Sequence, residues 1–366
     1  MLNLRVVQSR YGDSLILENG SGKRRKYILV DGGPSGVYGP YLKPELTRIA
    51  ESGGKLELVV LTHVDNDHVI GLLELMDELK HQKTAGEKPL IGVGGLWHNG
   101  FSKFLPREVK RQADALEAEM AVTPHPDPEN PLNVEIGPFG VGEGHDLQSA
   151  EAELGMLRNA GFPDQLISIE NTPKPFRVGG IKIWVLGPNM KNLERLREKW
   201  VKWLMRESLP FAPGEEPVKP DESIANLSSI MFLAEAGKRR ILMTGDGLGD
   251  DLVDGLEKSG LLPPDRAMHV DILKLPHHGS ARNAVGRLFE RVLADTYVLC
   301  ADGKYGNPDW QTLVWLVDSA CRQNRPIKLV ATSLAPSLQR LLEERPPEKN
   351  FYTLTVMPKG QTSLVL

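Results

Sequence analysis

Short apolar runs alternate along the chain with longer segments whose apolar residues recur at helical spacing. The segments LNLRVVQS and SLILEN predict a first hairpin, and the turn residues NGSGKRRK precede a third apolar strand, YILVDGG. Further on, the pattern predicts a helix in YLKPELTRIAES, a buried strand in LELVVLTH and an amphipathic helix in VIGLLELMDELKHQ. This succession predicts an α/β protein.

The C-terminal half continues the alternation. The predicted strands are IKIWVLGP, SSIMFLAEAG, RRILMTGD, VDILKLPHHGS, TYVLCADG and IKLVATS, and the predicted helices are NLERLREKWVKWLMRES, GDDLVDGLEKSG, AVGRLFERVLA and DWQTLVWLVDSACRQ. The last segment, FYTLTVMPKGQTSLVL, predicts a closing hairpin. Residues 101–178 mix helical pieces with the proline-rich link TPHPDPENPLN, so we expect an insertion or covering layer on one domain spanning residues 1–366.

Three of the predicted strands run directly into polar loops. LELVVL leads into the loop THVDNDH, RRILM leads into Asp246, and DILKL leads into the pair His277 and His278. Sites in α/β sheets form where the carboxyl ends of strands bring loops together over a rigid scaffold. We therefore expect these loops to meet.

The loop THVDNDH contains four potential metal ligands, His63, Asp65, Asp67 and His68. Such a dense mixture of imidazoles and carboxylates predicts a site for two divalent ions. The alternative is an acidic helix start, in which the aspartates cap the helix and complement its dipole. An EF-hand is excluded, because the required glycine position is Ile70.

Composition limits the ligands and the partners. The chain of 366 residues has only two cysteines, so any metal must be held by histidines and carboxylates. The net charge of -4 gives no general attraction to nucleic acid or to an anionic membrane. No apolar run approaches the length of a membrane span or of a signal peptide, so we expect a cytoplasmic protein without a membrane partner; its oligomeric state has no signal in the sequence.

The run Gly12-Asp13-Ser14-Leu15 spells the nucleophile block of GDSL-type serine esterases. That mechanism needs an Asp-x-x-His pair downstream to activate Ser14, yet no histidine follows His278. We therefore interpret Ser14 as the beginning of a strand.

Four blocks in order carry a family resemblance: Asp31-Gly32-Gly33, the loop from Thr62 to His68, Thr244-Gly245-Asp246, and Leu273-Lys274-Leu275-Pro276-His277-His278-Gly279-Ser280. The chain resembles the metallo-β-lactamase-fold hydrolases, above all the hydrolase domain of ComEC-type competence proteins and their stand-alone relatives. The resemblance implies an αββα sandwich, in which two mixed β-sheets pack between helices. It also implies a metal-dependent hydrolase with two divalent ions and a bridging hydroxide.

The resemblance implies a role for each matching residue. His63 and Asp65 would hold one ion, Asp67 and His68 the other, and Asp246 would bridge them. His278, rather than His277, would complete the second site. Asp31 would order the loop without binding metal, and Asp67 would also orient the attacking water or accept its proton.

Two positions depart from the common family pattern. Asp65 stands where many members have a second histidine, so the first site is richer in oxygen and Mn²⁺ rivals Zn²⁺. The third-motif histidine is also missing: His98 is the better candidate, His145 the weaker one, and the absence of any protein ligand there is the main alternative. Asn307 replaces a histidine of the family's Tyr-Gly-His-Pro block, and we expect it to order its loop or contact substrate.

The substrate expected from these features is a phosphodiester. Lys274, His277 and Ser280 follow the second-site strand and are candidates to steady a phosphate or oxyanion, although Lys274 is equally compatible with a strand end in solvent. Oxygen-rich dinuclear sites suit phosphodiester hydrolysis, and nucleic acid stays a substrate option that the charge does not indicate. The alternatives are a hydrolase of a non-phosphate ester, lactone or amide, and a metal-free interaction module.

Overall fold

The computed structural model describes residues 1–99, 141–195, 222–284 and 287–366. Its strands are β1 (Leu2–Val7), β2 (Leu15–Asn19), β3 (Lys26–Val30), β4 (Leu56–Val60), β5 (Leu96–Trp97), β6 (Phe176–Val178), β7 (Ile181–Gly187), β8 (Met231–Ala236), β9 (Arg239–Met243), β10 (Met268–Lys274), β11 (Val292–Leu299), β12 (Ile327–Ala331), β13 (Tyr352–Val356) and β14 (Ser363–Val365). Its α-helices are α1 (Lys43–Glu51), α2 (Asn66–Thr84), α3 (Val141–Leu154), α4 (Glu222–Leu227), α5 (Gly249–Lys258), α6 (Arg287–Arg291), α7 (Trp310–Arg322), α8 (Pro336–Glu344) and α9 (Pro347–Asn350). A π-helical turn, Tyr38–Leu42, leads into α1, and short 3-10 turns occur at Gly22–Arg24, Pro163–Gln165 and Pro276–Gly279.

The strands form two mixed sheets. The six-stranded sheet has the order β14-β1-β2-β3-β4-β5, and the eight-stranded sheet has the order β13-β12-β11-β10-β9-β8-β7-β6. The parallel strands are β3, β4 and β5 in the first sheet and β9 to β13 in the second. In the first sheet, β14, β1, β2 and β3 are joined by antiparallel pairings. In the second sheet, β6, β7, β8 and β9 are joined in the same way.

The alternation of side chains along each strand builds the layers. In β2, Leu15 and Leu17 face the other sheet and join Phe232 in one buried cluster, whereas Ile16 points outward and packs in a cluster with Leu72 of α2. A fully buried side chain of this size contributes about 1.5–3 kcal/mol through the hydrophobic effect. Both faces of the strand are therefore used, which explains its continuous apolar sequence.

The eight-stranded sheet is covered in the same way. In β10, Ile272 lies between the sheets, and Leu273 belongs to the buried cluster on the other face, together with Leu256 of α5, Leu316 of α7 and Leu338 of α8. The layers thus run helix, sheet, sheet, helix, as expected for an αββα sandwich.

Two local predictions were wrong. The closing segment is not a hairpin, because β13 pairs in parallel with β12 in one sheet while β14 pairs antiparallel with β1 in the other. The alternation of apolar and polar residues identifies strands but not the strands they pair with. Here β13 is the edge strand of the eight-stranded sheet, and β14 is the edge strand of the six-stranded sheet. The helix predicted in AVGRLFERVLA is limited to α6, since Val292 already begins β11.

The expected covering layer is described only in part. Helix α3 packs against α2, with Leu147 and Ala150 in the same buried cluster as Leu72, and β6 forms the edge of the eight-stranded sheet. The piece KFLPREVKRQADALEAEM and the link TPHPDPENPLN lie outside the described residues. Among the described helices, none combines the length and the apolar character needed to cross a membrane.

Candidate metal centre

The four ligand-rich segments meet at one edge of the sandwich. Strands β3, β4, β9 and β10 end at this edge and lead into Asp31, the loop 62–68, the turn 244–246 and the turn Pro276–Gly279. The amide of Ile230, just before β8, donates to Thr62 O at 2.9 Å and links the two sheets there. The predicted meeting of loops therefore occurs between the sheets.

Asp246 lies at the centre of this group. Its Oδ1 is 3.4 Å from His68 Nε2, and its Oδ2 is 3.8 Å from His63 Nε2 and 3.4 Å from His278 Nε2. His277 Nε2 lies 3.7 Å from the same Oδ2. One carboxylate thus faces imidazoles from two different loops.

The two aspartates of the THVDNDH loop contact different histidines of this centre. Asp65 Oδ2 is 3.5 Å from His63 Nε2, and Asp67 Oδ2 is 3.0 Å from His278 Nε2 and 3.8 Å from His68 Nε2. We call the six residues His63, Asp65, Asp67, His68, Asp246 and His278 the His–Asp cluster. One donor atom from each of Asp67, His68, Asp246 and His278 fits within 4.8 Å of the others, a spacing suited to a single ion.

Burial and unused polar atoms show that the cluster fits a cation. His63 and His68 have fully buried side chains, and Asp246 is 2% exposed. Within the described part of the chain, Nε2 of both histidines and Oδ1 of Asp246 have no hydrogen-bond partner. Buried polar groups without partners are costly, and bound cations would satisfy all three.

The helix-capping alternative does not account for the loop. Asp65 is the N-cap residue of α2, but its side chain makes no capping hydrogen bond. The carboxylate instead turns toward His63. Asp67 lies in the first turn of α2, where the helix dipole favours its charge.

Asp31 orients residues of the cluster through hydrogen bonds. Its carboxylate accepts hydrogen bonds from the Thr62 amide (2.7 Å) and the Thr62 hydroxyl (2.8 Å), and Oδ2 lies 2.9 Å from His68 Nδ1. With Nδ1–H donating to Asp31, the Nε2 lone pair of His68 faces Asp246. Gly32 lets α2 come this close, because a side-chain carbon there would lie 2.3 Å from the Leu72 backbone nitrogen.

Asp13 is a residue that the sequence analysis missed. It is buried, its carboxylate contacts Lys274 Nζ, and its Oδ1 is 3.3 Å from His278 Nδ1. The backbone reaches this position through Gly12, where a side-chain carbon would lie 1.9 Å from the Asp67 carbonyl oxygen. The available signal was an aspartate next to a glycine immediately before a buried strand.

The structure corrects both interpretations of Lys274. Its side chain is 1% exposed, and its Nζ contacts Asp13 and donates to Gly245 O at 3.2 Å. Its Nζ also lies 3.6 Å from Asp246 Oδ1. Lys274 is therefore neither a strand end in solvent nor free to reach a substrate; it supports the carboxylates from inside.

The turn at the end of β10 has an unusual backbone. His277 and His278 have φ values of 46° and 54°, and Asp31 has a φ of 59°. Side chains other than glycine rarely adopt this left-handed region, and each such residue costs on the order of 1–3 kcal/mol. The backbone conformation of the turn places the imidazoles of His277 and His278 beside the carboxylate of Asp246. This placement is a functional reason for the strained backbone.

Hydrogen bonds hold the His277 side of the turn. His277 Nδ1 is 2.9 Å from Asn283 Oδ1, and Asn283 Nδ2 donates to Asp246 O at 2.8 Å. Asn307 Nδ2 donates to His277 O at 3.2 Å, which orders the two loops against each other. Ser280 Oγ accepts a hydrogen bond from the Arg282 amide at 3.3 Å, so this hydroxyl also serves the loop.

His98 occupies a separate position. Its Nε2 lies 2.8 Å from Glu151 Oε2 on α3, and Glu151 Oε1 is 3.3 Å from Arg158 Nε. This arrangement ties β5 to α3. Within the described residues, His98 is not among those whose donor atoms come within 4.8 Å of one another at Asp246. His145 belongs to α3, but its side chain lies outside the described part of the structure.

The charges of the cluster stabilise one another. Burial alone would raise the pKa of Asp246, but the imidazoles of His278 and His68 outweigh burial and hold that pKa well below its usual range. Burial likewise opposes protonation of His68, yet Asp246 and Asp67 raise its pKa well above the usual value. The carboxylates are therefore ionised at neutral pH, and a cation that binds them takes the place of the imidazole protons.

One known protein family matches part of the chain. Residues 10–152 match the sequence profile of the metallo-beta-lactamase superfamily, and no curated protein matches the chain. Among solved structures, the chain is similar to a diphosphatase of the PhnP family, at 12% identity and a TM-score of 0.37, with 100% of this chain and 97% of that one covered.

Two further similar structures are of CmlA. One is the diiron β-hydroxylase CmlA from Streptomyces venezuelae, at 12% identity and a TM-score of 0.37, and the other is a mutant of the CmlA β-hydroxylase, at 13% and 0.38. Each comparison covers 100% of this chain, which spans 54% and 53% of those chains. The family match covers residues 10–152, and the two mixed sheets between helices are those expected of the metallo-β-lactamase fold.

Proposed function

We propose that the chain is a phosphodiesterase that uses two divalent ions, Zn²⁺ or Mn²⁺, at the His–Asp cluster. The observation that carries this proposal is the position of Asp246, whose carboxylate oxygens lie 3.4–3.8 Å from the Nε2 atoms of His63, His68 and His278. A carboxylate in this position is suited to bridge two ions. When bound, such ions lower the pKa of a water molecule and polarise the bond under attack.

The residues divide between the two ions. His63 and Asp65 would hold one ion, and Asp67, His68 and His278 would hold the other, with Asp246 within reach of both. Asp65 and Asp67 have side-chain exposures of 22% and 24%, so the substrate approaches from their side. Asp67 is ionised there, because His68 and His278 keep its pKa low despite burial, and it orients the attacking water or accepts its proton.

The remaining residues position this set. Asp31 orients His68, and Asn307 orders the turn that carries His277. His277 has a side-chain exposure of 31% and is the imidazole best placed to steady a phosphate oxygen. Ser280 keeps the turn in shape.

A phosphodiester is favoured because three of the six cluster residues are carboxylates, a donor set that suits hard ions and phosphoryl oxygens. The order of the sequence blocks supports a ComEC-type enzyme. We further propose one domain over residues 1–366, in which the region 101–178 is an insertion that limits access to the site. The net charge of -4 favours short substrates over long duplex nucleic acid.

The test combines metal analysis with hydrolysis. The purified protein is reconstituted separately with Mn²⁺ and Zn²⁺, its metal content is measured by mass spectrometry, and cleavage of bis(p-nitrophenyl) phosphate is compared with that of p-nitrophenyl acetate. We expect about two ions per chain and phosphodiester cleavage that Asp246→Asn abolishes. Well under one ion per chain would support a metal-free module, and cleavage of the acetate alone would support an ester hydrolase.

A further inference from the structure

A half-buried tyrosine, an exposed tyrosine and an exposed lysine form a small surface near the His–Asp cluster. The rings of Tyr11 and Tyr305 are 5.2 Å apart between centroids and nearly perpendicular, at 85°. Lys304 Nζ lies 4.0 Å from the Tyr11 ring centroid and 5.0 Å from that of Tyr305. We call these three residues the Tyr–Lys rim.

Two chain segments connect the rim to the residues of the His–Asp cluster. Tyr11 precedes Asp13 by two residues, so their Cα atoms are at most about 7.6 Å apart, and Asp13 Oδ1 is 3.3 Å from His278 Nδ1. Tyr305 precedes Asn307 by two residues, and Asn307 Nδ2 donates to His277 O at 3.2 Å. Both tyrosines therefore lie next to segments that hold the imidazoles.

The Tyr11 segment also touches the open side of the centre. The Asp13 amide donates to Asp67 O at 3.2 Å, and Gly12 packs directly on the same carbonyl group. Asp67 is one of the two partly exposed carboxylates of the His–Asp cluster. Tyr11 is thus joined through Gly12 and Asp13 to the backbone of a cluster residue whose carboxylate is partly exposed.

Packing within the protein does not explain the rim well. Tyr305 is 68% exposed, so its ring buries little apolar surface. A cation–π contact at such an exposed place is weak, and Lys304 has no carboxylate partner among the ion pairs of the described residues. An exposed aromatic face beside an ammonium group that has no carboxylate partner is the combination that binds a base and its phosphate.

We infer that the Tyr–Lys rim binds the nucleobase and a phosphate of a nucleotide phosphodiester, the base stacking on Tyr305 and Lys304 pairing with phosphate. The inference rests on the proposed phosphodiesterase function and names its substrate class. Stacking accepts any base, because every base has a π face. The rim spans only three residues, so it suits a short or cyclic nucleotide ester.

The test compares two esters with the same leaving group. Thymidine 5′-(p-nitrophenyl) phosphate carries a base, whereas methyl p-nitrophenyl phosphate does not. For Tyr305→Ala we expect KM for the thymidine ester to rise roughly 5- to 100-fold with little change in kcat, and KM for the methyl ester to stay the same. Tyr305→Phe keeps the ring and should retain the wild-type KM, and Phe351→Ala, at another exposed aromatic residue, is the matched control.

Binding of thymidine 5′-monophosphate, measured by calorimetry on the metal-reconstituted protein, is the second readout. Weaker binding to Tyr305→Ala by the same factor, with methyl phosphate unaffected, supports the inference. Equal affinities of the wild type and Tyr305→Ala for the nucleotide overturn it, as does an equal rise of KM for both esters. If the wild type cleaves neither ester, the proposed function fails, and the binding measurement alone decides the inference.

Discussion

The carboxylate of Asp13 and the ammonium group of Lys274 form a buried ion pair directly beneath the metal centre, and each side chain is 1% exposed. Burial opposes both charges, but Lys274 and His278 hold the pKa of Asp13 below its usual range, and Asp13 and Asp246 raise the pKa of Lys274. The pair joins the β1–β2 connection to the end of β10. It therefore couples the opening hairpin to the histidines of the other sheet.

Breaking this pair should destabilise the fold. Lys274→Met leaves the Asp13 charge buried without its main partner, so we expect the free energy of unfolding to fall by about 3–5 kcal/mol in urea titrations. The double variant Asp13→Leu/Lys274→Met removes both charges and should recover much of that loss. Strictly additive effects of the two substitutions would show that the pair is not coupled.

Asp31 should affect metal binding without touching metal. Asp31→Asn weakens the acceptor that holds His68 Nδ1–H, so we expect metal affinity to drop roughly 10- to 100-fold, measured by competition with a chelator. Asp295→Asn is the control, since Asp295 is an exposed aspartate paired with His269 at the surface. Equal affinities in Asp31→Asn and Asp295→Asn would contradict the orienting role of Asp31.

Ser14 should be dispensable. It is fully buried, and within the described residues its hydroxyl oxygen has no hydrogen-bond partner. Ser14→Ala removes an unsatisfied polar group, so we expect an unchanged or higher Tm and full hydrolytic activity. A loss of activity as complete as that of Asp246→Asn would instead revive a serine-esterase mechanism.

His98 should make stability depend on pH. Burial lowers its pKa, and Glu151 only partly opposes this effect. Above the unfolded-state pKa of about 6.5, His98 is neutral in both the folded and the unfolded chain. Below that pH, His98 of the unfolded chain binds a proton, whereas His98 of the folded chain binds one only at a lower pH. Stability is therefore lost as pH falls.

The measurement for His98 is the change in Tm between pH 7.5 and pH 5.5. We expect a larger decrease for the wild type than for His98→Gln, which keeps a donor for Glu151 but does not titrate. Parallel Tm curves for the two proteins would show that His98 does not contribute to the pH dependence.

Much of the local structure follows from the sequence, because each element depends on near neighbours. Short apolar runs such as LELVV and helical repeats such as that of α2 appear at the predicted places. The same patterns failed for the last two strands, since the pairing of β13 with β12 and of β14 with β1 depends on edges formed by residues far away in the chain.

The sequence by itself determined which loops carry ligands, since His63, Asp246 and His278 each follow an apolar strand, and strand ends share one edge of a sheet. Only the tertiary structure decided what surrounds them. It brought Asp13 beneath His278, buried Lys274 and paired His98 with Glu151 on α3. These contacts join segments that are distant in sequence. A buried charge needs a partner, and the packing of the two sheets decides which partner lies within reach. A local sequence pattern contains no information about that packing.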